Sequence, residues 1–153
     1  MIFDDHFDVG VPPPEVWDFL MDIHELSSCM PGLEKATQVD DRTFEGVIGA
    51  AVGPISGHFT FRATIVESAP PEEMMVRTEG TDSVTGSRMN VNVKITLRES
   101  GNSRTDIAYN ANTEIQGRLA ILGDMILRAT ANLLLQEFTQ RMRKRLEENR
   151  PIL

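Results

Sequence analysis

The sequence has one cysteine, one tyrosine, one tryptophan and three histidines among 153 residues. A lone Cys29 excludes an intrachain disulfide framework and a cysteine-rich zinc site; it fits a reducing compartment, so a cytoplasmic location is expected. The residue itself, ahead of Met-Pro-Gly and with no His-carboxylate partner in view, reads as a small buried hydrophobe rather than a nucleophile. His6, His24 and His58 are scattered without ligand spacing, so neither a metal nor a cofactor is expected. No apolar run approaches the ~20 residues of a membrane span and no basic leader precedes one. Membrane contact is therefore expected to be peripheral at most, at the inner face. Positive charge is scarce too: 15 Lys and Arg against 23 Asp and Glu give a net charge of -8, which argues against nucleic acid as a partner. The small-residue stretch Gly49–Gly57 is no phosphate loop, because it lacks a Gly-Lys-Ser/Thr ending and a following helix.

What is present is alternation followed by helical period. Phe3, Phe7, Val9 and Val11 alternate with polar residues, predicting a strand over residues 2–11 that Asp5 interrupts on its apolar face. Pro12-Pro13-Pro14 stops it, and Pro14-Glu15 suits the first turn of a helix whose inner stripe is Val16, Trp17, Leu20 and Met21. Ile23 and Leu26 predict a short second helix, ended by the turn Cys29-Met30-Pro31-Gly32. Alternating segments punctuated by turns then predict strands near 33–40, 43–52, 55–68, 73–83, 87–99 and 104–116, an antiparallel meander. Gly117 to Asn149 is the longest helical pattern, with Leu119, Leu122, Ile126, Ala129 and Leu133 at three- and four-residue steps and Met125, Phe138, Met142 and Leu146 read on the same side. Arg128, Gln136, Gln140, Arg143 and Glu147 fall on the side read as solvated. The expectation is one domain, 1–153, of α+β class, with a seven-stranded curved antiparallel sheet wrapped around a long C-terminal helix and two short helices after the first strand.

That order resembles the helix-grip (START-like, Bet v 1-like) fold. The local residues narrow the resemblance to the carbon monoxide dehydrogenase G-subunit family of the SRPBCC superfamily, with its polyketide cyclase-like helix-grip architecture. They are Phe7 with Pro12 and Val16-Trp17-Asp18-Phe19-Leu20, Cys29-Met30-Pro31-Gly32-Leu33-Glu34, Val52-Gly53-Pro54-Ile55, Gly80 with Asp82, Gly86-Ser87, Gly117-Arg118-Leu119-Ala120 and Leu122-Gly123. The resemblance implies a hydrophobic cavity between sheet and helix, quinone-type lipid as cargo, and service to a molybdenum-hydroxylase carbon monoxide dehydrogenase. Phe61 departs from the family pattern, where glycine is common, and is expected to narrow the cavity. The segment before Val52 also lacks the family's frequent lysine. The chain stops at Leu153, so attachment through a tail beyond the helix is not expected.

The candidate ligand-binding residues are Phe59, Phe61, Met74, Val76, Met89, Val91, Tyr109 and Ala111 from the strands, joined by Trp17. From the helix come Leu122, Met125, Ile126, Ala129 and Leu133, and Val52, Gly53, Pro54 and Ile55 form a candidate lip at the cavity mouth. Eight methionines supply a lining that adapts to ligand shape, or else simply a dense core. Tyr109 would either orient a ligand carbonyl or make a structural hydrogen bond. Asp5 and Asp82 approach the interior by parity; unpaired burial would raise their pKa, whereas a place near strand ends would leave them wet. The function expected is noncatalytic carriage of an apolar, quinone-like or other lipid molecule. Two alternatives stay open: an aromatase/cyclase-like enzyme, which needs an acid/base pair near Tyr109, and an assembly or recruitment factor that recognises its dehydrogenase through a surface.

Overall fold

The structure, a computed structural model, describes residues 1–52 and 55–148, without the side chains of 50–52 and 55. In chain order it contains β1 (Ile2–Val9), α1 (Pro13–Met21), α2 (Ile23–Ser27), β2 (Leu33–Asp40), β3 (Thr43–Val52), β4 (Ile55–Ala69), β5 (Glu73–Asp82), β6 (Arg88–Glu99), β7 (Thr105–Gln116), a 3-10 turn (Arg118–Leu122) and α3 (Asp124–Glu148). β2 to β7 form a meander, and β1 closes the far side by pairing antiparallel with β7, giving the order β1-β7-β6-β5-β4-β3-β2. The expected sheet, the two short helices and the long terminal helix are all present.

Local chemistry explains the short helices. α1 carries proline in its first turn, where a missing amide costs nothing, and buries Val16, Trp17 and Phe19. α2 is capped by Asp22, whose side chain accepts from the amides of His24 and Glu25 at 2.9 and 3.3 Å. Both helices cover one end of the sheet. There Val9, Val11, Val16, Trp17, Phe19, Cys29, Met74, Leu97, Ile107, Met142 and Leu146 form the main core, each large apolar side chain contributing about 1.5–3 kcal/mol by leaving water.

The C-terminal helix departs from expectation in two ways. It begins at Asp124 rather than Gly117, because Gly117 and Gly123 sit at φ values of 99° and 85°, a left-handed backbone that ends helical geometry on either side of the 3-10 turn. Its far predicted end, Asn149, lies outside the described residues. It is also rotated. Leu127, Met142 and Leu146 are buried, with Ala131, Leu134, Leu135 and Phe138 half-buried on the same side. Met125 is 85% exposed, Leu133 56% and Ile126 36%, and Ala129 is exposed as well. At about 100° per residue, the stripe through Ile126, Ala129 and Leu133 and the stripe through Leu127, Leu134, Phe138 and Met142 lie roughly 150° apart. They cannot both face the sheet. The second stripe faces in because its C-terminal half is locked into the main core beside Trp17.

A buried polar cluster fixes the entry to α3. Asp82 is 0% exposed, yet its carboxylate accepts from the amides of His58, Val84 and Thr85 and from the Thr85 hydroxyl, at 2.6–3.2 Å. Burial pushes this carboxyl up, but the Thr85 hydroxyl and the three amides outweigh burial and hold it below the usual carboxylate range. Thr85 Oγ1 lies 2.7 Å from Ser87 Oγ, which accepts from the Leu119 amide at 3.0 Å. Gly117 approaches so closely that a Cβ would stand 3.0 Å from Ser87 Cα. Neither the raised pKa expected of an unpaired buried carboxylate nor the wet strand end applies to Asp82.

Candidate functional site

Strand register assembles the concave face row by row. Asp5 pairs with Tyr109, Tyr109 with Ile95 and Ile95 with Met74. Phe3, Ala111, Val93, Val76 and Ile65 form the next row. Beyond it come Thr113, Val91, Thr78 and Ala63, then Ile115, Met89, Gly80, Phe61 and Gly46. Phe59 joins the same face opposite Asp82. The eight strand residues anticipated from parity therefore share one face. Phe61, Met74 and Ala111 are buried, while Phe59, Val76, Met89, Val91 and Tyr109 are half-buried.

Not all of these residues border open space. Met74 and Trp17 are packed within the main core. Phe61 lies edge-on to Phe44, with ring centroids 5.8 Å apart, and its ring occupies the space over Gly46, where a Cβ would stand 2.8 Å away. From the helix, Leu122 packs with Leu119, Leu127, Phe59 and Ile115. Met125, Ile126, Ala129 and Leu133 do not cover the sheet, for the rotational reason given above. Val52 and Ile55 pair at the end of the β3–β4 hairpin; their side chains, with Gly53 and Pro54 entirely, lie outside the described residues.

The substantial space lies between α3 and the β1–β7 edge of the sheet. Its volume is about 550 Å³, and it is lined by Asp5, His6, Phe7, Tyr109, Asn132, Leu135, Gln136, Thr139, Gln140 and Arg143. That volume lies within the ~300–1,000 Å³ of ordinary small-molecule sites. A second crevice, between the α1–α2 corner and the β2–β3 hairpin, measures only about 30 Å³. Of the predicted ligand-binding residues, Tyr109 alone lines the larger space. The rest of its lining is more polar than expected, because the exposed amides of Asn132, Gln136 and Gln140 border it, while Ile126, Ala129 and Leu133 do not.

Why the space stays open follows from how α3 is fastened. Near its start, Arg128 lies over the Phe3 ring, 5.0 Å from the centroid, and Nη1 donates to the Ile2 carbonyl at 2.9 Å. Near its end, Arg143 lies 5.9 Å from the Phe7 centroid, and its Nε donates to the Asp8 carbonyl at 3.1 Å. Glu147 accepts from the Gly10 amide at 3.0 Å, and Arg145 Nε donates to Glu25 at 2.7 Å. The helix is therefore held at both ends. Between these fastenings, Asn132, Gln136 and Gln140 recur at four-residue steps along one side, with Thr139 beside them, and all four border the gap.

Two titratable groups in the lining are shifted. Burial raises the Tyr109 phenol, and the charges of Asp5 and Asp4 raise it further. His6 Nδ1 lies 3.0 Å from Asp106 Oδ1. That hydrogen bond, then the charges of Asp106, Asp5 and Asp4, raise the imidazole above 6.5 although it is exposed. Asp5 Oδ1 accepts from the His6 amide at 2.8 Å. The Tyr109 hydroxyl and the side chains of Asn132, Gln136, Thr139 and Gln140 make no hydrogen bond among the described residues. Chemically, Phe7 on the sheet and Leu135 on the helix give each wall of the gap an apolar patch, and Tyr109 with the α3 amides adds donors and acceptors beside them. The sequence pattern points to Asp5 and Tyr109 and reads Gln136 and Gln140 as solvated, which they are, but gives no sign that they and Asn132 border a gap.

Among the described residues, no group of three or more His, Cys, Asp or Glu could hold a metal ion, and no helix is long and apolar enough to cross a membrane.

Comparison with known proteins agrees with the fold. No curated protein matches in sequence. A conserved protein from Geobacillus kaustophilus superposes with a TM-score of 0.90 at 20% identity, covering 97% of this chain and 96% of the other. A START superfamily protein from Mycobacterium smegmatis gives 0.72 at 8% identity, with 96% and 97% covered. Zhui aromatase/cyclase from Streptomyces sp. R1128 gives 0.63 at 13%, with 95% and 90% covered. These similarities establish a START-like helix-grip fold. The family model of the carbon monoxide dehydrogenase G-subunit (CoxG) matches residues 6–147, and over that span, nearly the whole chain, the protein belongs to the CoxG family.

Proposed function

We propose that this protein is a noncatalytic carrier that holds a small amphipathic molecule, quinone-like or another lipid, between its sheet and C-terminal helix in the service of a molybdenum-hydroxylase carbon monoxide dehydrogenase. The observation that carries the reading is the gap of about 550 Å³ under a helix fastened at both ends. Asp5, His6, Asn132, Gln136 and Gln140 of its lining are exposed, so the space is an open groove that a ligand of ordinary size can enter from solvent. Phe7 and Leu135 offer apolar surface, while Tyr109 and the amides of Asn132, Gln136 and Gln140 can donate to ring carbonyls. Burying ~300 Å² of apolar ligand surface at ~25 cal/mol per Å² gives a gross ~7.5 kcal/mol before ordering costs, which corresponds to micromolar or weaker binding. Membership of the CoxG family supports the dehydrogenase as partner.

The alternative, an aromatase/cyclase-like enzyme, needs an acid/base pair beside Tyr109, but His6 pairs with Ala108 and its side chain meets Asp106 on the face of the sheet opposite Tyr109. Native mass spectrometry after organic extraction separates the readings. Co-purified lipid released unchanged, together with saturable binding of a decyl benzoquinone, supports carriage. An extract free of small molecules, with no benzoquinone binding, rejects it. Turnover of a polyketide substrate that is lost in Tyr109→Phe favours the enzyme.

A further inference from the structure

We propose that the gap prefers a head group that donates a hydrogen bond from a hydroxyl, so that a quinol binds more tightly than its quinone, and that Asp5 sets this preference. The inference rests on the carrier reading and deepens it. Asp5 and Tyr109 are register partners on β1 and β7, and both line the gap. Oδ1 of Asp5 accepts from the His6 amide, whereas Oδ2 has no partner among the described residues. An ionised carboxylate only accepts hydrogen bonds, so this oxygen can satisfy a ligand O–H but repels the lone pairs of a quinone carbonyl.

The surrounding charges act in the same sense. Asp4 neighbours Asp5 in sequence, and the two carboxylates, whose charges add to burial in raising the Tyr109 phenol, place negative charge at this end of the gap. Arg143, the cation of the lining, stands at the other end, spread over the Phe7 ring and donating through Nε to the Asp8 carbonyl. His6 is turned to Asp106. A carboxylate-headed lipid is therefore disfavoured beside Asp5. The amides of Asn132, Gln136 and Gln140 both donate and accept, so they serve either redox form equally and leave the discrimination to Asp5.

The test is anaerobic calorimetry on the whole chain with a decyl benzoquinone, its quinol and laurate. In the parent, the quinol should bind about tenfold more tightly than the quinone, and laurate more weakly than both. In Asp5→Asn, whose amide can donate to a carbonyl, that ratio should collapse towards one through a gain in quinone affinity. Asp5 is exposed, so the variant is expected to fold, which circular dichroism checks. Tyr109→Phe should weaken both forms alike and leave the ratio standing. Equal affinities in the parent, a ratio that survives Asp5→Asn, or laurate binding as tight as the quinol would overturn the inference while leaving carriage intact. Failure of all three ligands to bind would remove the carrier reading and this inference together.

Discussion

Gly57 lies directly against the carboxylate of Asp82: a Cβ built on the glycine would stand 2.7 Å from Oδ1. The absent side chain is what lets a buried carboxylate reach the His58 amide while bonding the β5–β6 turn. Gly57→Ala should displace the carboxylate and cost about 1–3 kcal/mol, read by urea denaturation, because donors that fit only the native position are left short. Asp82→Ala should cost at least as much. The double variant should cost little more than Asp82→Ala alone, since without the carboxylate the added methyl has nothing to strike.

Acid stability follows from the same cluster. The folded Asp82 carboxyl sits below its ordinary value of 3.8, so it binds protons less readily in the native than in the unfolded state. Its contribution to stability is therefore complete above about pH 4 and is lost as pH falls through the folded value. Acid unfolding monitored by far-UV circular dichroism should begin at higher pH in Thr85→Val, which removes the hydroxyl donor bonded to Asp82 Oδ2.

His6 behaves in the opposite sense. Its folded pKa is raised above 6.5 by the hydrogen bond and charge of Asp106. The stabilisation it gives is present below about pH 6.5 and disappears as pH rises through the folded value. An NMR titration should place the His6 midpoint above those of free imidazole models, and Asp106→Asn should bring it back towards 6.5. Because the ring is exposed, the accompanying change in global stability should be small.

Strand positions were legible in the sequence because alternation and turn chemistry are local: Arg88 to Glu99 alternates cleanly and becomes β6. The resemblance drawn from scattered motif residues also has a physical basis, since Asp82, Ser87, Gly117 and Leu119 meet in one junction. The fate of Asp82 was not legible, because its donors come from the β5–β6 turn and from β4, which only the fold brings together. Nor was the rotation of α3. Its sequence contains two apolar stripes, each with acceptable helical period, and the choice between them is made by Met142 and Leu146 entering a core built by α1 and β1. The candidate site followed that choice: the solvated amides of Gln136 and Gln140 border an open groove, and Met125 and Leu133 became surface.

The rotation of α3 can be tested by contrast. Leu133 is 56% exposed and Met142 1% exposed on the same helix. Leu133→Asp should change unfolding free energy by no more than about 0.5 kcal/mol, because it places a charge where water already is. Met142→Ala should cost about 2–5 kcal/mol, since it leaves a void among Trp17, Leu97 and Ile107 that those neighbours fill only in part. Were the helix turned with Ile126, Ala129 and Leu133 to the sheet, the order of these costs would reverse, because a buried, unpaired aspartate is more damaging than a shortened methionine at a surface. Chemical denaturation of the two variants against the parent decides which stripe holds the helix down.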